Sequence, residues 1–539
     1  MPLTVRRPTE PGPHSSLSSA LTPPPNPKPL ITASEMFPAL EKLVLSAQSE
    51  VLLAFRIFDA STKLRSPEAK DLDLTSWADL FAHTAKRGVT LRLLLADFDP
   101  VFAADLHRAA WISAGRFAAR INDAPNVEII CALHDCTPAP LWSQVFAPQI
   151  RKRRALLRAK PHEHLTQAQL RALKGPYQLR PITLHQKFAL IDQTTAIIGG
   201  IDVDERRWDD HDHDQRPEDT WHDVSMLVSG GITADLRRHF SQCWDRARDG
   251  CGTVFSASVS PVKNPLDQSD SNTLKTSESQ DKPTTHSRMS LLRTVSTHAK
   301  GPFRFGPVTQ IREHETAHLD AFAKAKRSIY IETQFLRHMP LAHALAERAK
   351  EVPDLNLILV LPTEPERVIF GGSTGMDARH AQALQMRCLA LLRRAFEDRL
   401  AVVSPAQPRP APNGTPMPVA GSGIIYLHSK VTLVDDQVGI VGSANLNGRS
   451  LTWDTEASVR FHDPKVIQDL RKRLANKWLG DIQQQTDPRG FEQAVFWNNA
   501  AKDAERTPPQ DRETMILPYP ETRNRRFARY IPILPAAMF

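Results

Sequence analysis

A chain that repeats its own order of segments must build one unit twice, and this 539-residue sequence does so on either side of a polar tract at about 259–287. Each half opens on a helix-like stretch, Ala33 to Ala47 in the first and Glu315 to Ala325 in the second. Each continues into a strand, VLLAFRIFD at 51–59 and SIYIETQFL at 328–336. A further helix leads to TLRLLLADFD at 90–99 or LNLILVLPTE at 355–364, and another to VEIICAL at 127–133 or LAVVSP at 400–405. Strands rich in Val, Ile and Leu that alternate with helical segments describe sheets covered on both faces. The expected fold is therefore α/β: two similar α/β/α sandwich domains packed with pseudo-two-fold symmetry, so that equivalent positions converge on one interface.

Composition sets the boundaries. Residues 1–31, rich in Pro and Ser, read as a disordered tail, and the tract 259–287 has almost no large apolar residues with which to bury a core. Between and beyond them the sequence predicts an N-terminal domain at 32–258, a C-terminal domain at 288–485 and an extension at 486–539. Hydrophobic content of 41% and charged content of 24% are ordinary for globular chains. No run approaches the length of a membrane span, and prolines stand where a secretory signal needs an apolar stretch, so a cytoplasmic or peripheral membrane location is expected. Delivery by a specialised, signal-less secretion route stays open. Five cysteines without C-x-x-C spacing suggest neither a zinc site nor a disulfide framework. A net charge of +8 favours an anionic partner such as a phospholipid surface, a nucleic acid or a phosphorylated substrate. The basic run Arg151, Lys152, Arg153, Arg154, Arg158 and Lys160 reads equally as a solvated helix face or an anion-facing patch.

The chemistry sits in a second repetition. LHQKFALIDQTTAIIGGID supplies His185, Lys187 and Asp192, and LHSKVTLVDDQVGIVGSANLNGRS supplies His428, Lys430 and Asp435. Both are H-x-K-x-x-x-x-D with a Gly-containing pair after the same gap. Residues two apart on a strand share a face, so each His and Lys would reach one ligand. The strand then ends at the Asp, and the returning strand carries Gly200 in one half and Ser443 in the other, with Asn445 beyond. Glycine there would let a phosphate approach backbone N–H groups. A lone motif is weak, but two at equivalent points of a repeat are not a compositional accident.

The alignment also sets Asp223 of HDVSM against Glu456 of TEASV. A carboxylate accepting from one ring nitrogen fixes an imidazole tautomer and raises the basicity of the other nitrogen. The run DDHDHD at 209–214 suggests a metal site less than it suggests a solvated loop.

These residues resemble the HKD motifs of the phospholipase D superfamily. GGID, RRWD and TWHDV in the first half, with YIETQFL, IYLHSK and SANLNGRSLTWDTE in the second, are similar to eukaryotic-like phospholipases D. Nothing like a C2, PX or PH domain is recognisable ahead of them, and a segment at about 134–180 has no counterpart in the family pattern. The resemblance implies a phospholipase D that hydrolyses the distal phosphodiester of glycerophospholipids, phosphatidylcholine in particular, to phosphatidic acid and a free head group. It implies a phosphohistidine intermediate and transfer to added alcohols as a side reaction. His185 is then the nucleophile and His428 the general acid and base, with Lys187, Lys430, Asn445, Gly200 and Ser443 on the substrate phosphate. No metal or cofactor is required, the partner is a phospholipid at a membrane surface, and the chain acts as a monomer. Phosphatidyl transfer of the cardiolipin or phosphatidylserine synthase type and nuclease action are the alternatives; nucleic acid is disfavoured because small nucleases of the family carry one motif per chain.

Overall fold

The computed structural model describes residues 26–122, 124–250, 252–262, 288–299, 306–480 and 489–539. The first half forms a sheet from β1 (Lys28–Ile31), β2 (Glu50–Phe55), β3 (Thr90–Ala96), β4 (Val127–Ala132), β5 (Phe188–Ile191), β6 (Thr195–Gly199), β7 (Val224–Ser229) and β8 (Gly252–Val254). Their order across the sheet is β1-β7-β6-β5-β2-β3-β4-β8. The second half builds a sheet from β9 (Met289–Thr297), β10 (Val308–Arg312), β11 (Ser328–Thr333), β12 (Asn356–Val360), β13 (Leu400–Pro410), β14 (Ser422–Ile424), β15 (Lys430–Val434), β16 (Val438–Gly442), β17 (Glu456–Phe461) and β18 (Ile516–Pro518). Its order is β10-β9-β17-β16-β15-β11-β12-β13-β14, with β18 on β13.

The repeat read in the sequence is thus a repeat of topology. In both halves three parallel strands, β2-β3-β4 and β11-β12-β13, adjoin an antiparallel meander, β5-β6-β7 and β15-β16-β17. The central strands are buried along their whole length because helices cover both faces, which is why they lack polar alternation. One apolar core belongs to the outer layer of each half. A third is shared: Met226, Phe240 and Trp244 pack in the same cluster as Tyr330, Val441, Trp478 and Trp497. The two sandwiches are therefore joined by a continuous core.

Three boundaries shift. Residues 28–31, expected in the disordered tail, form β1 and pair antiparallel with β7; an edge position tolerates Pro29 because a ladder donor is not required on the outer side. Residues 1–25 of that tail and 263–287 of the linker lie outside the described residues. Residues 259–262 belong to the first half, where Ser260 N–H donates to Glu128 (2.9 Å) and Val262 is buried. The C-terminal extension is part of the second domain, because its helix Ala494–Arg506 buries Trp497 in the shared core and β18 extends the sheet. The segment 134–180 folds into helices Pro140–Val145, Ala147–Arg158 and Gln167–Lys174. In the second of these Arg151, Lys152, Arg153 and Arg158 are exposed, whereas Arg154 turns inward to the carbonyl of Leu173 (2.8 Å).

Candidate active site

Each H-x-K lies at the mouth of a hairpin. β15 begins at Lys430 and β5 begins immediately after Lys187, so both histidines occupy extended segments just ahead of the strands rather than within them. Those segments are stitched across the two halves. His185 N–H donates to Thr455 O (2.8 Å) and Thr455 N–H to Thr183 O (3.1 Å); equivalently, His428 N–H donates to His222 O (2.8 Å) and His222 N–H to Tyr426 O (2.9 Å). Each half thereby delivers its carboxylate to the other half's histidine.

His428 Nδ1 lies 2.6 Å from Asp223 Oδ2, and His185 Nδ1 lies 3.0 Å from Glu456 Oε1. With Nδ1 engaged, Nε2 of each ring is left to react. Lys187 Nζ donates to His185 O (2.7 Å) and stands 3.9 Å from Asp202 Oδ2. Lys430 Nζ donates to His428 O, lies 2.8 Å from His428 Nδ1 and stands 3.9 Å from Asp223 Oδ2. The side chains of His185 and His428 keep 12% and 6% of their surface accessible, so both rings are largely withdrawn from solvent.

Burial dominates the electrostatics. It holds His185 well below the usual imidazole range, helped by the positive charges of Lys187, Arg56 and Lys430. His428 is held well below it by burial, then by Lys430, Arg207, Lys187 and His185. Each histidine therefore sits within the field of the other motif. Burial also lowers Lys187, and lowers Lys430 to about 7 although Asp223 opposes the shift. Asp223 is raised to about 6 and Glu456 to about 8, in both cases by burial against the pull of a lysine. These fields favour neutral imidazoles.

Several expected site residues do other work. Asp192 and Asp435 lie at the far ends of β5 and β15 from the histidines. Asp192 accepts from the backbone N–H groups of Gln48, Ser49 and Glu50 (2.8, 2.8 and 3.0 Å), and Asp435 from those of Lys326, Arg327 and Ser328 (2.8, 2.9 and 3.0 Å). They fasten each hairpin to the start of the neighbouring strand. Both also take φ of 48°, a left-handed conformation that aspartate tolerates, so the motif needs this residue for its turn. The backbone N–H groups of Gly200 and Ser443 are not available to a phosphate, because they donate to Val224 O (3.0 Å) and Ala457 O (3.1 Å). Instead, Gly200 makes room for the Asp223 carboxylate, which a Cβ would meet at 2.1 Å, and Ser443 Oγ donates to Glu456 (2.5 Å). Asn445 is buried at the position equivalent to Asp202 and donates to Gln334 Oε1 (3.5 Å).

The run at 209–214 is only partly solvated. Asp209 and His213 are fully buried, and Asp209 accepts from His213 Nδ1 (2.5 Å) and from Trp221 N–H (2.6 Å), which locks the segment leading to Asp223. Sequence reasoning also missed Arg56 and Arg207, whose charges act on the two histidines. Arg207 lies 3.6 Å over the Trp221 ring, itself 4.7 Å from the His428 ring. Neither arginine sits in a repeated motif. Among the described residues one group, His134, Asp135 and Cys136, has the donor types for a metal within 4.8 Å of one another. Both nitrogens of His134 have protein partners, Cys136 N–H (3.1 Å) and Thr455 Oγ1 (3.1 Å).

A family model described as "Cardiolipin synthase, PLD-like domain" matches residues 319–478. Phospholipase D2 of Bos taurus is 21% identical over 390 residues, 56% of this chain and 40% of that protein. Phospholipase D1 of Saccharomyces cerevisiae is 22% identical over 420 residues, 60% of this chain and 24% of that protein. The chain thus spans less than half the length of these curated relatives. The crystal structure of phosphatidylserine synthase from Haemophilus influenzae shares the fold, with a TM-score of 0.51 and 13% identity over 84% of this chain and 85% of that one. The second half thus matches a PLD-like domain, and the chain is similar in sequence and in fold to members of the phospholipase D superfamily.

Proposed function

We propose that the chain is a phospholipase D that cleaves the distal phosphodiester of glycerophospholipids, releasing the head group and leaving phosphatidic acid. The observation that carries this reading is the crossed pairing of His428 with Asp223 and of His185 with Glu456, two oriented imidazoles each with a lysine two residues on. A phosphodiester resists attack because it is anionic and its alkoxide leaving group is unstable. Lys187 and Lys430 answer the first difficulty by neutralising the non-bridging oxygens. The histidines answer the second.

His185 Nε2 attacks phosphorus, the P–N bond forms, and the bond to the head-group oxygen breaks as His428 Nε2–H gives that oxygen its proton. His428 then takes a proton from water, which attacks phosphorus and releases His185. An alcohol in place of water gives the transfer product. In the empty site burial and neighbouring cations keep His428 neutral. The negative charge of the substrate offsets those cations and lets His428 carry the proton it must donate, with Asp223 holding Nδ1–H. No helix of the described residues is long and apolar enough to cross a membrane, so substrate is met by peripheral contact in this reading.

The test offers phosphatidylcholine, phosphatidylglycerol and single-stranded DNA, with ethanol added to the lipids. Choline release with phosphatidylethanol is expected. Cardiolipin from phosphatidylglycerol without choline release would favour a phosphatidyltransferase, and cut DNA beside untouched lipid would overturn the proposal.

A further inference from the structure

The two halves share a topology but not the material beneath the two histidines. Under the second motif lies Glu332, fully buried, with four donors on its carboxylate. Its Oε2 accepts from Ser429 Oγ (2.6 Å) and His222 Nε2 (3.1 Å), and its Oε1 from Tyr330 Oη (2.6 Å) and Trp478 Nε1 (2.7 Å). Ser429 is the residue after His428, and His222 the residue before Asp223. One carboxylate oxygen therefore grips both members of the Asp223–His428 pair through their neighbours, while the other is anchored to the core. The backbone bond from His428 N–H to His222 O closes the same pair of segments on the main chain.

Strand registers identify the equivalent place in the first half. Glu332 faces Val431 across β11 and β15, and Ala54 faces Phe188 across β2 and β5, so Ala54 is the counterpart of Glu332. A methyl group cannot bridge. Gln186, the counterpart of Ser429, instead accepts from His239 Nε2–H (2.5 Å), and Thr455, the counterpart of His222, meets His134 (3.1 Å). These are two separate, neutral contacts. The imidazole–carboxylate distances follow: 2.6 Å where the clamp exists and 3.0 Å where it does not.

Building on the phosphoryl-transfer reading, we infer that Glu332 is a positioning residue that makes His428 the proton donor by holding it tightly on Asp223, and that its replacement by Ala54 leaves His185 free to act as the nucleophile. A carboxylate held at short distance on Nδ1–H stabilises an imidazolium, which suits the ring that must give up a proton. A ring whose carboxylate is also taken by Ser443 is less able to hold a second proton and more available for attack. Burial alone would raise the Glu332 carboxyl, but His222, Ser429 and Tyr330 outweigh it and keep the group ionised, as a clamp requires.

The experiment compares Glu332→Gln and Ser429→Ala with wild type on two phosphodiesters, one with an alkyl alcohol as leaving group and one with p-nitrophenol, which leaves without a proton. General acid catalysis contributes about 10²–10⁴-fold. Glu332→Gln should therefore lose roughly 10²-fold in kcat on the alkyl ester and only about threefold on the p-nitrophenyl ester, with the basic limb of its pH profile moved to lower pH. Ser429→Ala removes one donor and leaves the carboxylate three, so it should show the same bias, smaller, in a protein that melts close to wild type. An equal loss on both esters for both variants, or no loss, would overturn the inference. Wild type inactive on either ester would instead overturn the phosphoryl-transfer reading.

Discussion

Gly200→Ala turns one methyl group into a test of the whole site. A Cβ at 200 would stand 2.1 Å from Asp223 Oδ1, 2.8 Å from Cγ and 2.9 Å from Oδ2. Ordinary C···O contact begins at about 3.3 Å, so the carboxylate must retreat by roughly 1 Å. The bond to His428 Nδ1 is 2.6 Å, and a retreat of that size away from the ring would carry it to about 3.6 Å, where it no longer counts as a hydrogen bond. Misplacement of about 1 Å at a reacting group costs on the order of 10²-fold, and loss of tautomer control up to about 10⁴-fold. The expected loss in kcat/KM is therefore roughly 10²–10³-fold, a barrier rise of about 3–4 kcal/mol. Overpacking should cost about 1–3 kcal/mol of stability, which leaves the protein folded. Gly199→Ala is the contrast, because its Cβ would meet Ser225 Cα at 2.4 Å, and backbone between paired strands cannot step aside. Head-group release and a thermal melt on each variant decide the matter. A folded Gly200→Ala protein within threefold of wild-type activity would refute the role given to the Asp223–His428 pair.

Asp435→Asn weakens three backbone hydrogen bonds at the turn and should cost about 1–3 kcal/mol in a denaturant titration while kcat per folded molecule stays within a few-fold; a catalytic role would instead show as lost turnover in a stable protein. His185→Ala should abolish the labelled phosphoenzyme trapped by alkaline quench, and His428→Ala should let it form slowly from a p-nitrophenyl diester; the reverse result exchanges their roles. Lys430, lowered to about 7, is charged in the empty site only below that pH, so tungstate should bind more weakly as pH rises above 7, by up to about tenfold per unit, with proton uptake measured in two buffers. The sign for folding is opposite: between about 7 and 10.5 the unfolded chain holds a proton that native Lys430 lacks, so this group's contribution to stability is lost as pH falls through that window.

What the sequence revealed was whatever repeats. The succession of helices and strands along each half, the two H-x-K pairs and the match of Asp223 with Glu456 were legible because each appears twice at the same spacing. Which carboxylate serves which imidazole was not legible. That depends on parallel bridges between halves, Leu184 with Thr455 and His222 with Leu427, and no local pattern encodes a contact between segments so distant. Asp192 and Asp435 misled for the opposite reason: their fixed spacing comes from a turn whose geometry is as demanding as chemistry. Glycine at 200 was correctly singled out but for a phosphate, whereas the close approach it permits is that of a side chain. Pro29 and its neighbours looked like tail because composition cannot show that an edge of the sheet is waiting for a strand.

The direction of its shift separates Glu332 from the two carboxylates that meet the histidines. Glu332 is as deeply buried as Asp223 or Glu456, yet its carboxyl is lowered, since donors and His222 outweigh burial. That is the behaviour of a closed structural network, whose members satisfy one another. Asp223 and Glu456 are raised while Lys187, Lys430, His185 and His428 are lowered, so neither sign of charge is settled by the other. Oδ2 of Asp202 is buried without a hydrogen-bond donor, with Lys187 Nζ 3.9 Å away. Mutual repulsion among the bases, with Arg56 and Arg207 adding to it, cannot be relieved by moving the acids, which already lie against the rings. In the proposed reading an anionic substrate relieves it, restoring charge to the lysines and allowing one imidazole a proton. A neutral nucleophile and a charged acid, the two forms the proposed mechanism requires, would then coexist because the substrate supplies the difference between them.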